Sequence, residues 1–139
     1  MTSYSRAAYG IGACLLPLLL VVRASAGELT EIEQITGNHA TITQTGTANV
    51  ATLEQRAILG QFGANIATLT QEGAGNTAGV TQKGIRNEVT LGQFGDNNSA
   101  QLGQYGIGLK SDVTQSGNGL GVTVNQFGIG GGPVVIRQH

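Results

Sequence analysis

A carboxamide returns along this sequence at nearly every eleventh residue. Gln34, Gln44, Gln55, Gln61, Gln71, Gln82, Gln93, Gln104, Gln115, Gln126 and Gln138 follow one another mostly in steps of 11, with one short step between Gln55 and Gln61. A second amide, at Asn38, Asn49, Asn65, Asn76, Asn87 and Asn98, precedes a Gln by six positions. An amide combines donors and an acceptor in one uncharged group and is neither base nor nucleophile. The chemistry open to such a series is hydrogen bonding in chains, each amide to its copy.

Groups for other chemistry are scarce. His39 and His139 lie at opposite ends of the chain, and no Cys or carboxylate cluster has metal-ligand spacing. Ser99, Ser111 and Ser116 fall at repeat positions without a local His to act as base. Neither a phosphate-binding G-x-x-x-x-G-K-[ST] nor a recurring calcium-binding G-G-x-G-x-D occurs. The expectation is no enzyme, no metal and no cofactor. A formal net charge of -1 leaves no electrostatic footprint for nucleic acid, so no nucleic-acid partner is expected either.

The elements that carry the amides follow from their neighbours. Two residues before each Gln is an aliphatic, as in Ile42, Leu53, Leu69, Val80, Leu91, Leu102, Val113 and Val124. Four before is a small residue or Val, and two after, in most units, is Gly. The unit reads Q-x-G-x-x-N-x-A-x-[VIL]-x-Q. Asn, Ala, aliphatic and Gln at alternate positions share one face of a strand, for example Asn76, Ala78, Val80 and Gln82. Thr, Gly and charged residues take the other face. The Gly past each Gln supplies a turn. Each unit is one strand and one turn.

A buried amide left unpaired costs about 1 to 3 kcal/mol, so a lone strand cannot hide its Asn and Gln. Stacking removes that cost. Two units form a rung, rungs rise by about 4.8 Å, and like residues lie upon like. Each Gln amide, and each Asn amide, is then expected to donate to its copy in the next rung. The fold class read from this pattern is all-β: a two-sheet β-solenoid of stacked strand-turn-strand rungs, cross-β in character. From Ala51 through Leu53, Gln55, Ala57 and Leu59 to Gln61 the alternation runs on without a turn, as one long strand or a deleted turn.

Composition agrees with a stack of repeats. Of 139 residues 23 are Gly and only 11% are charged, against about 25% charged in ordinary domains. Residues 1–26 read as a secretory signal: Arg6 is followed by the apolar run from Ile11 to Val22, then by Ala24-Ser25-Ala26, with cleavage between Ala26 and Gly27. That run is too short for a membrane span, which needs about 20 apolar residues. Removal of the leader takes Arg6 and Arg23 away, leaving five basic residues against eight acidic ones, and removes Cys14, the single cysteine. No disulfide can then staple the exported chain. The expected organisation is a signal peptide over 1–26, a short acidic segment over 27–33, repeats over 34–126, and an atypical C-terminal unit or cap over 127–139.

These units resemble the curlin repeats of the curli family, functional amyloid subunits of Gram-negative bacteria. The stretch Gly92-Gln93-Phe94-Gly95-Asp96-Asn97-Asn98-Ser99-Ala100-Gln101-Leu102 carries the pattern, and the resemblance covers Gln34 to about Gln126. It implies a subunit secreted through the periplasm to the outer surface of a Gram-negative bacterium, where it forms fibres for adhesion and biofilm matrix. The partners it implies are copies of itself, a second curlin as nucleator or major subunit, an outer-membrane secretion channel and accessory export factors. Where the major subunit of that family has a Gly-rich targeting segment, Gly27 to Glu33 is short and acidic.

Polymerisation is also expected from the residues, because the first and last rungs of an open stack expose unpaired backbone groups. Lys83, Arg86, Asp96 and Asp112 are candidate gatekeepers that slow it. The alternative is a monomeric secreted β-solenoid that binds ice or carbohydrate through a Thr-rich face such as Thr41-Ile42-Thr43 and Thr68-Leu69-Thr70, although Gly79, Gly92, Gly103 and Asp112 interrupt the Thr array.

Overall fold

The computed structural model describes residues 32–33, 38–56 and 63–139. The expected leader with Ala26 and Gly27, the start of segment 27–33, Gln34, Gln61 and the turnless stretch through Ala57 and Leu59 lie outside the described residues. Among the described residues there are ten strands and no helix: β1 (Ile32–Glu33), β2 (His39–Thr47), β3 (Val50–Arg56), β4 (Ile66–Ala74), β5 (Thr77–Ile85), β6 (Glu88–Phe94), β7 (Ser99–Ile107), β8 (Lys110–Ser116), β9 (Gly121–Ile129) and β10 (Val134–Gln138).

Two sheets result, because each turn carries the chain across to the facing sheet. One has the order β1-β2-β4-β6-β8-β10 and the other β3-β5-β7-β9. From β2 onward all pairings are parallel, and the register sets repeat upon repeat: Gln44 beside Gln71, Gln71 beside Gln93, Gln93 beside Gln115, Gln115 beside Gln138. In the second sheet Gln55, Gln82, Gln104 and Gln126 align in the same way. This is the two-sheet β-solenoid the pattern predicts. Only β1 departs from it, running antiparallel to β2 with Ile32 opposite Ala40 and Glu33 opposite His39.

The period-2 alternation decides which side chains meet. Ile42, Leu69, Leu91 and Val113 form one buried column, and Leu53, Val80, Leu102 and Val124 form the other. Ala40 and Ala67 stand beside the first, and Ala51, Ala78 and Ala100 beside the second, all within the same core. Burying each Leu or Val side chain contributes about 1.5 to 3 kcal/mol. The core is narrow, and its ends are closed by amides.

Candidate functional site

The corners of the rungs bring the amides together. On one side the Gln Nε2 groups donate to the next Gln Oε1 in the sequence 44 to 71, 71 to 93, 93 to 115 and 115 to 138, at 2.5 to 2.9 Å. On the other the series 55 to 82, 82 to 104 and 104 to 126 does the same at 2.8 to 2.9 Å. The remaining Nε2 hydrogen crosses to a backbone carbonyl of the facing sheet: Gln82 to Ile66, Gln93 to Thr77, Gln104 to Glu88, Gln126 to Lys110. Gln71, Gln82, Gln93, Gln104 and Gln115 are fully buried, and every donor and acceptor just named is paired.

The Asn residues also stack, but by a different bond from the one expected. Their side chains do not donate to one another. Asn38 Oδ1 accepts from the backbone N–H of Asn65, Asn65 from Asn87, Asn49 from Asn76 and Asn76 from Asn98, at 3.0 to 3.1 Å. Asn Nδ2 goes instead to the carbonyl of the Gly that follows the next Gln along the stack: Asn49 to Gly73, Asn65 to Gly84, Asn76 to Gly95, Asn87 to Gly106 and Asn98 to Gly117. The reason is local. Asn is one methylene shorter than Gln and sits at the bend, where its amide reaches backbone groups before it can reach another side chain.

The turn glycines make that bend possible. Gly73, Gly84, Gly95 and Gly106 have φ between 109° and 155°, and a Cβ on any of them would collide with the carbonyl of the Gly in the next rung. At Leu109 and Leu120 the Asn columns end. Each Leu N–H is still received, by Asn87 and Asn98 Oδ1, but Leu has no oxygen to offer onward.

Several partners carry no periodic signal. Ser111 occupies an Ala position, yet its hydroxyl donates to Gln126 Oε1 at 2.7 Å and accepts from Gln104 Nε2 at 3.2 Å. Asp96 Oδ1 accepts from Ala74 N–H, and Asn118 Oδ1 accepts from Asp96 N–H, both at 2.8 Å, so Asp96 belongs to a chain of bonds between turns. On the outer faces Lys110 meets Glu88 at 2.7 Å and Arg137 meets Asp112 at 3.1 Å.

The two ends of the stack differ. Gln44 Oε1 and Gln55 Oε1 are buried with no donor among the described residues. At the other end Gln126 and Gln138 are half-buried, and each has one Nε2 hydrogen on a carbonyl, Lys110 and Gly121 respectively. Large apolar side chains are exposed on the same terminal strands: Phe127 at 73%, Ile129 at 82% and Val135 at 53%. Such an end is an unfinished sheet edge with an apolar patch, the kind of surface that pairs with another chain.

Residues 64–95 and 95–128 match the family profile described as "Curlin associated repeat". No curated protein and no solved structure matches the chain.

Proposed function

We propose that this chain, which is a curlin-repeat protein, is a structural subunit of an extracellular curli-like fibre that assembles by stacking β-solenoids end to end. The observation that carries this reading is the open last rung, where Gln126 and Gln138 are half-buried with one Nε2 hydrogen each still to place, beside the exposed Phe127, Ile129 and Val135. A sheet edge of this kind leaves backbone and amide groups unpaired and apolar surface in water, and a neighbouring copy stacked on it covers both. Within this reading the ladder Gln and Asn are structural and seeding elements. The leader over 1–26 sends the chain to the periplasm, an outer-membrane channel with accessory factors exports it, and a second curlin starts or receives the fibre. Adhesion and biofilm matrix are the roles of the assembled polymer.

The monomeric, Thr-faced alternative has less support. Thr41, Thr68 and Thr90 align, as do Thr43 and Thr70, but the two ranks then meet Asp112 and Gly92. The test is to purify the chain from Gly27 onward and follow it by thioflavin fluorescence, sedimentation and fibre diffraction. Dye-positive fibres with a meridional spacing of about 4.8 Å are expected. A persistent monomer in the ultracentrifuge would overturn the reading.

A further inference from the structure

We infer that residues 28–35 of a second copy add to the open edge of β9 as a parallel strand, with Gln34 on Gln126 and Ile35 on Phe127. This deepens the assembly proposed above and rests on it. The opening is one strand wide. Strands β2 to β10 divide five and four between the two sheets, so β10 carries the first sheet past β8 while the second stops at β9. The edge of β9 lies open beside β10, with Val122 half-buried and Phe127 and Ile129 exposed.

A second copy is not received rung upon rung. Its Gln44, Asn49, Ala51, Leu53 and Gln55 are 0 to 3% exposed, so its first rung is already covered in the single chain. What it can offer is the segment before that rung. Glu28-Leu29-Thr30-Glu31-Ile32-Glu33-Gln34-Ile35 places Thr30, Ile32 and Gln34 at alternate positions, the pattern that faces inward along the stack. Laid parallel on β9 with the amides level, Thr30 meets Val122 and Ile32 meets Val124. Gln34 Oε1 then accepts the second Nε2 hydrogen of Gln126, whose first goes to the Lys110 carbonyl. On the outer face Ile35 continues the column of Arg56, Lys83, Tyr105 and Phe127, in which Tyr105 already stacks on one side of the Phe127 ring at 5.0 Å and 10°. Glu33 falls on Asn125, whose Oδ1 is turned over Gly103 in the rung below, leaving its amide hydrogens for the carboxylate.

Other strands fit this edge less well. A second copy's β10, entering tail to tail, would run antiparallel; with Ile136 on Val124 it sets Val134 against the Gln126 amide and Gln138 against Val122. Residues 57–62 repeat the pattern in Ala57, Leu59 and Gln61 but are held at both ends, by β3 and β4. The chain's own segment is at the wrong end, since Ile32 and Glu33 lie opposite Ala40 and His39 on β2, across the whole sheet from β10. Once the leader is removed the segment starts at Gly27, so it can exchange that short antiparallel pairing for a neighbour's β9 as a free tail. Strand and open edge sit at opposite ends of each copy, and a contact between unlike surfaces propagates without closing.

Disulfide trapping tests the insertion. Chains that begin at Gly27 and carry Glu31→Cys are grown into fibres with chains carrying Thr123→Cys, because residues 31 and 123 face each other on the outer side in this register. Neighbouring strands about 4.8 Å apart lie within disulfide reach. This mixture should oxidise to dimer about tenfold more than Thr123→Cys with Arg137→Cys, the pair that a tail-to-tail β10 would join. The same excess is expected over Thr123→Cys with Thr52→Cys, the pair that rung-on-rung contact would join. Adding Gln34→Ala to the Glu31→Cys chain should lower the yield about fivefold. A dominant product from either comparison mixture, no product from any mixture, or a yield unmoved by Gln34→Ala would each overturn the insertion while fibres still formed. Absence of fibres from the unsubstituted chain would instead remove the assembly reading on which the insertion rests.

Discussion

The carbonyl oxygen of Gly95 accepts from Asn76 Nδ2 at 2.7 Å in the adjacent rung, and it occupies the space that a Cβ on Gly73 would need. One oxygen thus ties the Asn column to the Gly column. The repeat Q-x-G-x-x-N is therefore a single device: the Gly strips the corner to bare backbone, and the Asn bonds to what is exposed.

Gly73→Ala is expected to break that corner. The new methyl meets backbone, which cannot move aside as a flexible side chain would, and φ of 115° is already hostile to any Cβ. A loss of about 3 kcal/mol is expected from strain and overpacking together. Gly119→Ala is the control, because its φ is 69° and a Cβ there meets nothing within 4 Å. It should cost about 1 to 2 kcal/mol, the ordinary price of a left-handed Ala. Denaturant midpoints of the assembled proteins compare the two, and equal shifts would refute the steric role of the Gly column.

Ala48→Gly should stabilise the protein. Ala48 has φ of 55° at the position just before the corner Asn, where Gly75, Gly108 and Gly119 all have φ of 69°. Ala48 is exposed and gives up no packing. Relief of left-handed strain outweighs the added freedom of the unfolded chain, for a net gain of about 0.5 to 1 kcal/mol. A midpoint that falls on this substitution would contradict the strain assigned to Ala48.

Much of the fold was readable in the sequence because its controlling variable, side-chain alternation, is itself periodic. Ala78, Val80 and Gln82 point inward together for the same reason that Thr77, Gly79 and Thr81 point outward. The Gly after each Gln marked the turns. What the spacing could not reveal is direction: a column of Gln looks the same whether its amides point up or down, and nothing in a repeat says that Asn bonds to backbone instead of side chain. The αL residue before Asn was hidden as well, since Ala48, Arg86 and Asn97 share it with three glycines and so leave no common residue type. Ser111 reads as another small residue until its hydroxyl is seen on Gln126. The antiparallel turn of β1 breaks the period, so periodicity had no means of announcing it.

Asp96 allows charge to be separated from hydrogen bonding. Asp96→Asn keeps an oxygen for Ala74 N–H, so stability should change by less than about 0.5 kcal/mol, whereas Asp96→Ala should lose about 1 kcal/mol. If the carboxylate restrains edge pairing, Asp96→Asn combined with Asp112→Asn shortens the lag before thioflavin signal appears. Unchanged lag times would sink the gatekeeper role and leave Asp96 as a link between turns.

Position along a Gln column should decide what its loss does. Gln82 is fully buried, receives Gln55, donates to Gln104 and crosses to Ile66. Gln82→Ala therefore strands Gln104 Oε1 inside the core, while Gln55 Nε2 keeps the carbonyls of His39 and Asn65, a cost of about 1 to 3 kcal/mol in stability. Gln126 is half-buried at the outer rung, where water replaces a missing partner, so Gln126→Ala should change stability by about 1 kcal/mol or less. Its effect falls on growth, because the last rung would no longer offer the Gln126 Nε2 hydrogen to an incoming copy; elongation from preformed seeds should slow by about tenfold, the equivalent of about 1.4 kcal/mol. Gln44→Ala, in the first rung, should slow it as well. Seeded elongation and denaturant midpoints measured on the same three variants separate the two effects. If Gln82→Ala slowed elongation more than either terminal substitution while keeping its midpoint, the end rungs would not be the sites at which the next copy is received.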